Sequence, residues 1–186
     1  ARAIAEGILS EDLIISFNIA CRVNDIDREL FARLKEAGLA RVFLGVESGS
    51  QRRLDGFKKG VTVRQNAEAM SLLTELGIPY TAGYIMFAPD TSWAEFRESS
   101  SFLKRTLGSV EGITEAVHDM FNPVEVLPGT AIAEELSKNG LLLGDYRGFR
   151  YQFQDWRVRV FYKGLLGLRG LHAKLVKKRG VTKGED

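Results

Sequence analysis

Short apolar runs rich in branched residues alternate along this chain with stretches of helical periodicity, and that alternation limits the fold to parallel strands joined by crossover helices. The first run is Leu13 to Ala20. Asp25 then stands where a helix cap belongs, ahead of Ile26, Leu30, Leu34 and Ala37 at helical spacing, and Gly38 ends that helix. A second strand is expected over Arg41 to Val46. Thr62 and Gln65 form a capping box for a helix reaching Gly77, and a third strand follows from Tyr80 to Phe87. Ser92 and Glu95 repeat the capping pattern before a helix to about Leu107. A fourth strand is expected from about Met120 to Leu127, and Thr130 caps a last helix ending near Gly140. The fold class is α/β. Four right-handed units are too few to close an eight-stranded barrel, so the expected object is a partial (β/α) barrel.

Composition bounds the rest. At 186 residues, 45% hydrophobic and 27% charged, the chain has material for a packed core and is too apolar to stay disordered. No run approaches the length of a membrane span and no signal sequence opens the chain, so a cytoplasmic protein is expected. Cys21 is the single cysteine, which excludes an intrachain disulfide and a cysteine-built metal site. The opening Ala-Arg-Ala-Ile-Ala-Glu reads as the middle of a helix, the mark of a piece of a longer protein. Charge is uneven: residues 1–156 hold 17 Lys and Arg against 22 Asp and Glu, and residues 157–186 hold 9 against 2. We therefore divide the chain into a partial barrel, 1–145, and a basic C-terminal extension, 146–186. Phe161, Leu165, Leu168 and Leu175 recur there at helical spacing among arginines and lysines, predicting an amphipathic helix. Its apolar face is expected to pack on the barrel or another domain. RNA, an acidic partner or a membrane surface are lesser alternatives.

In parallel α/β folds the chemistry gathers beyond the carboxyl ends of the strands. There the second strand delivers Glu47 and Ser48 between Gly45 and Gly49, glycines that let a ligand approach the backbone. The first strand offers Asn18, Cys21 and Arg22, and the third offers Tyr84. Each has a structural reading too. Glu47 fits a helix cap, Arg22 a solvated or salt-bridged cation, and Cys21 a small buried hydrophobe. His118 and His172 stand without ligand spacing and read as structural. No nucleophile triad, phosphate loop or zinc pattern is present.

Taken in order, these segments resemble the core of radical S-adenosylmethionine enzymes. The resemblance is carried by Asp27-Arg28-Glu29-Leu30, Leu34-Lys35-Glu36-Ala37-Gly38-Leu39, Val42-Phe43-Leu44-Gly45-Val46-Glu47-Ser48-Gly49-Ser50, Leu54-Asp55 and Lys58-Lys59-Gly60-Val61-Thr62. Leu76-Gly77-Ile78, Ala82-Gly83-Tyr84-Ile85-Met86-Phe87 and Leu127-Pro128-Gly129-Thr130 continue it. It covers roughly residues 5–160 and is nearest to the group with an upstream cobalamin-binding domain. The resemblance implies an enzyme in which three upstream cysteines hold a 4Fe-4S cluster that reduces S-adenosylmethionine, with cobalamin and methyl transfer in that group. This chain would supply cofactor- and substrate-side strands and, lacking the cluster cysteines, be inactive alone. Glu47 and Ser48 fall where the family contacts the ribose or methionyl end of the cofactor. Arg22 and Asn18 fall on a strand facing cofactor or substrate, and Tyr84 and Leu127 where adenine is contacted. The ending Phe87-Ala88-Pro89-Asp90-Thr91 departs from the commoner Gly-Leu-Pro-Gly-Glu, so contacts from that loop are not carried over. The implied partners are the N-terminal part of the same protein and a small-molecule or peptide substrate. The alternative is a non-catalytic α/β module that binds a protein or RNA through an open sheet edge and the basic tail.

Overall fold

The computed structural model describes residues 1–108, 117–118, 121, 123–145 and 147–181, with the side chains of residues 118 and 169–181 outside that description. The described residues form two compact units, one of residues 1–87 and 94–123, the other of residues 88–93 and 124–186.

The first unit carries α1 (Arg2–Ser10), β1 (Phe17–Arg22), α2 (Arg28–Glu36), β2 (Leu39–Glu47), α3 (Gln51–Gly56), α4 (Val63–Glu75), β3 (Tyr80–Tyr84), α5 (Trp93–Leu107) and β4 (Val117–His118). Its sheet has the order β1-β2-β3-β4 with every pair parallel, as the alternation of elements requires. The two faces differ. Val42, Leu44 and Val46 of β2 and Ala82 of β3 are buried with Phe31, Leu34, Met70, Leu73 and Phe102 from the helices. The alternate residues Asn18, Ala20, Arg22 and Phe43 are exposed, so strand alternation leaves one face open.

The boundaries correct four expectations. The first strand starts at Phe17, because α1 ends in a Schellman turn: Asp12 takes φ 51° and the amide of Leu13 donates to the Ile8 carbonyl. Leu13, Ile14 and Ile15 therefore lie outside the ladder and are 53%, 100% and 44% exposed. Asp27, two residues after Asp25, caps α2 by accepting from the Leu30 amide, while Asp25 accepts from the Arg22 amide in a short 3-10 turn, Val23–Asp25. The third strand stops at Tyr84, although Phe87 still bridges Pro123 in parallel. The fourth strand lies at Val117–His118, and residues 124–127 form no strand; Met120 is outside the described residues. Thr62 and Gln65 do form the capping box of α4.

The second unit contains α6 (Ala131–Lys138), a hairpin of β5 (Leu142–Leu143) and β6 (Arg150–Tyr151), and α7 (Trp156–Val181). Thr130 caps α6 as expected, and Val126, Ala133 and Leu136 centre a small core with Phe149 and Tyr151 against it. Asp155 fixes the start of α7, accepting from the Arg157 guanidinium and from the Trp93 amide, and these bonds hold its carboxyl well below the usual carboxylate range. The expected apolar face of α7 is corrected. Val158 is fully buried with Tyr162 and Leu165 in line at helical spacing, whereas Phe161 and Leu168 are 40% and 67% exposed. The helix is apolar on more than one side, which the simple spacing did not separate. No helix among the described residues is long and apolar enough to cross a membrane.

Candidate functional site

The carboxyl end of β2 is where the backbone leaves its ordinary conformations. The amide of Ser48 donates to the carbonyl of Val46 across 2.8 Å, which closes a three-residue turn, and Glu47 at its centre sits at φ 64°. That is the strained hand of the γ-turn, and a non-glycine residue there costs about 1–3 kcal/mol unless its surroundings impose it. The ladder slips at the same point. Gly45 pairs with Gly83 and Glu47 with Tyr84, so Val46 is the extra residue of a bulge that re-aims the carboxylate.

Four buried groups hold this turn from behind. Asn66 of α4, with no exposed surface, donates from Nδ2 to the carbonyls of Val46 at 2.8 Å and Ser48 at 2.9 Å. Tyr84 accepts from the Gly49 amide at 2.7 Å and donates to the Ser99 carbonyl at 3.2 Å. Burial of that phenol pushes its pKa up, so it stays a neutral donor. Ser48, 1% exposed, accepts from the Ser50 amide and lies 3.3 Å from the Ser99 hydroxyl. Gly49 is required by contact: a Cβ there would stand 2.4 Å from Cβ of Phe102. Beyond the turn, Arg53 of α3 and Glu95 of α5 form a buried, two-pronged ion pair that Arg52 joins from the surface.

Glu47 itself looks the other way. Its Oε1 accepts from Lys59 Nζ at 2.6 Å, and a Cβ on Gly45 would approach that oxygen to 3.2 Å. The chain delivers Lys59 by the turn that ends α3, where Lys58 takes φ 53° and the Lys59 amide donates to the Leu54 carbonyl. Gly83 floors the same face, since a Cβ there would stand 2.9 Å from Cζ of the half-exposed Phe43. Arg22 pairs in register with Gly45 on the exposed face of β1. The arrangement is a glycine floor between a carboxylate with its ammonium partner and a guanidinium. It can hold a small molecule carrying hydroxyl or ammonium donors at one end and an anionic group at the other.

Of the residues expected from sequence, Glu47 and Arg22 come together here. Asn18 shares the open face but lies four residues back along β1, on the order of 13 Å away at strand rise. Ser48 and Tyr84 turn their side chains into the interior, behind the turn. Leu127, 53% exposed, lies on a loop of the second unit. Cys21 is half-buried, and burial with Asp25 nearby raises its thiol to about 11. Lys59 and Asn66 were not singled out. Asn66 had a signal, since it occupies a position of the buried stripe Asn66, Ala69, Met70, Leu73, where a polar residue needs partners.

The chain is similar to several known proteins. The Radical SAM superfamily matches residues 2–103, more than half of the chain. An uncharacterized methyltransferase of Pyrococcus horikoshii is 29% identical over 136 residues, 73% of this chain and 28% of that protein. The 4'-phospho-dehydrooxetanocin synthase of Priestia megaterium is 35% identical over 118 residues, 55% of this chain and 16% of that one. The chain thus corresponds to less than a third of either relative. The solved structure of the cobalamin-dependent S-adenosylmethionine radical enzyme OxsB with aqua-cobalamin bound superposes with a TM-score of 0.72 over 87% of this chain and 30% of that one, at 22% identity. This likeness shows the fold.

Proposed function

The chain belongs to the radical SAM superfamily, and from that premise we propose that it supplies the cofactor- and substrate-side strands of a radical S-adenosylmethionine enzyme whose chemistry is cobalamin-dependent methyl transfer. The observation that carries the site is Glu47, held at φ 64° at a strand's carboxyl end with glycines 45 and 83 beside it. Strain imposed by buried partners is a feature of sites where a side chain must be aimed.

The residues present fit S-adenosylmethionine. Glu47 accepts from ribose hydroxyls or from the ammonium group, Arg22 offers its guanidinium to a carboxylate, and Gly45 and Gly83 let a flat group lie against the sheet. When bound, the cofactor supplies the radical chemistry of the family. The chain's own residues bind and orient it. A 4Fe-4S cluster does not fit this chain by itself: its ligands are several thiolates, and Cys21 is the single cysteine of the 186 residues. We place the cluster on a longer protein of which this chain would be a part. Cobalamin rests on the name of the relative alone, and no residue here is assigned to it. The substrate is a small molecule or peptide.

Titration calorimetry with S-adenosylmethionine on the full-length protein tests the site. Glu47→Ala should weaken binding roughly ten- to a hundredfold, the worth of a charge-assisted hydrogen bond left unmade. Unchanged affinity with a lowered melting temperature would return Glu47 to a structural role.

A further inference from the structure

We propose that Asn66 is a positioning residue for the Glu47 carboxylate, acting through the two carbonyls that flank it, an inference that rests on the reading of Glu47 just given. The two acceptors are the carbonyls of Val46 and Ser48, the residues on either side of Glu47, at 2.8 and 2.9 Å from one nitrogen. Both γ-turn arms are thereby tied to a single rigid point on α4. The carboxamide is there for its donors. Its oxygen is buried without a hydrogen-bond partner, and exchanging oxygen for nitrogen would set it against two carbonyl oxygens. An apolar residue would satisfy the packing of a stripe otherwise made of Ala69, Met70 and Leu73, so packing does not call for an amide at this position. Without the clamp, Glu47 is free to relax to the ordinary β region, and its side chain swings away from the open face.

The test is a double-mutant cycle on the reconstituted full-length protein, read as the Kd for S-adenosylmethionine by calorimetry, with melting curves alongside. Asn66→Leu removes the donors and keeps the branch at Cγ with added volume; Asn66→Asp nearly keeps the volume and replaces the donor nitrogen with oxygen. Each should raise Kd about tenfold on its own and less than twofold in the Glu47→Ala background, since the clamp has nothing left to aim. Unchanged Kd in both single variants, or losses that add in full to that of Glu47→Ala, would overturn the inference. Unchanged Kd in Glu47→Ala alone would instead sink the reading of the site and leave the cause there. Should neither Asn66 variant fold, the wild type decides. The 15N-labelled carboxamide protons of Asn66 should exchange at least tenfold more slowly with S-adenosylmethionine bound, and exchange unaffected by the cofactor would overturn the role.

Discussion

The carboxyl end of β2 and the outer edge of β1 lie in one sheet and are built on opposite terms. At the first, the backbone around Glu47 is held by Asn66, Tyr84 and Ser99, and the neighbouring charges Arg53 and Glu95 are buried as a pair. At the second, β1 pairs among the described residues only with β2, and Leu13, Ile14 and Ile15 beside it face solvent. Holding a strained residue requires that its surroundings be over-determined, whereas a bare strand edge with exposed isoleucines is the kind of surface that pairs or aggregates. The difference separates a part of the fold whose polar groups are tied within the described residues from a part whose edge and isoleucines stand open.

The largest effect should come from breaking the tied part. Glu95→Ala leaves the buried Arg53 without this carboxylate and should cost about 3–5 kcal/mol in denaturant unfolding, Arg53→Ala should cost less because Arg52 still pairs with Glu95, and the double change to leucines should cost less than Glu95→Ala. A loss under 1 kcal/mol in both single variants would show that α3 and α5 are not locked together. Next comes the turn itself. Glu47→Gly should be more stable than Glu47→Ala by about 1 kcal/mol, since glycine takes positive φ without penalty. Equal melting temperatures would mean that the turn relaxes in the alanine variant. At the bare edge, Ile14→Lys should change unfolding free energy by less than about 0.5 kcal/mol but reduce self-association in light scattering. An unchanged association state would remove this edge from the account. The smallest effect is chemical. Raising the Cys21 thiol from 9.0 to about 11 cuts its thiolate at pH 8 about a hundredfold, so iodoacetamide should modify it correspondingly slowly until the pH approaches 11. The same displacement makes deprotonation favour the unfolded chain, so stability from this group is present below pH 9 and lost as pH rises toward 11. Alkylation at the rate of an ordinary thiol would place Cys21 on the open side of β1.

What could be read beforehand followed from periodicity and capping. The parallel order, the Thr62–Gln65 box, the Thr130 cap and the placement of Glu47 at a strand's end are all local signals that the tertiary structure reinforces. The start of β1 was hidden because the Schellman turn after α1 has Asp12, not glycine, at its positive-φ position, so Leu13 to Ile15 looked like the strand's first residues. The short β4 was hidden for a different reason: its two residues make too little pattern, and the apolar stretch after it competes. Ser48 and Tyr84 point inward by ordinary alternation, continuing the buried side of Val42, Leu44 and Val46 on β2 and of Ala82 on β3, and a choice of site residues by nearness to a strand's end did not weigh that alternation. Lys59 and Asn66 act on Glu47 across 12 and about 19 residues of sequence, through contacts that only folding creates.

A crystal structure of the full-length protein with S-adenosylmethionine bound tests the central claim most directly. The account predicts the Glu47 carboxylate within about 2.6–3.2 Å of a ribose hydroxyl or the ammonium group of the cofactor, with Glu47 still at positive φ and Asn66 still on the carbonyls of Val46 and Ser48. A cofactor bound elsewhere, with Glu47 paired to Lys59 alone, would contradict it.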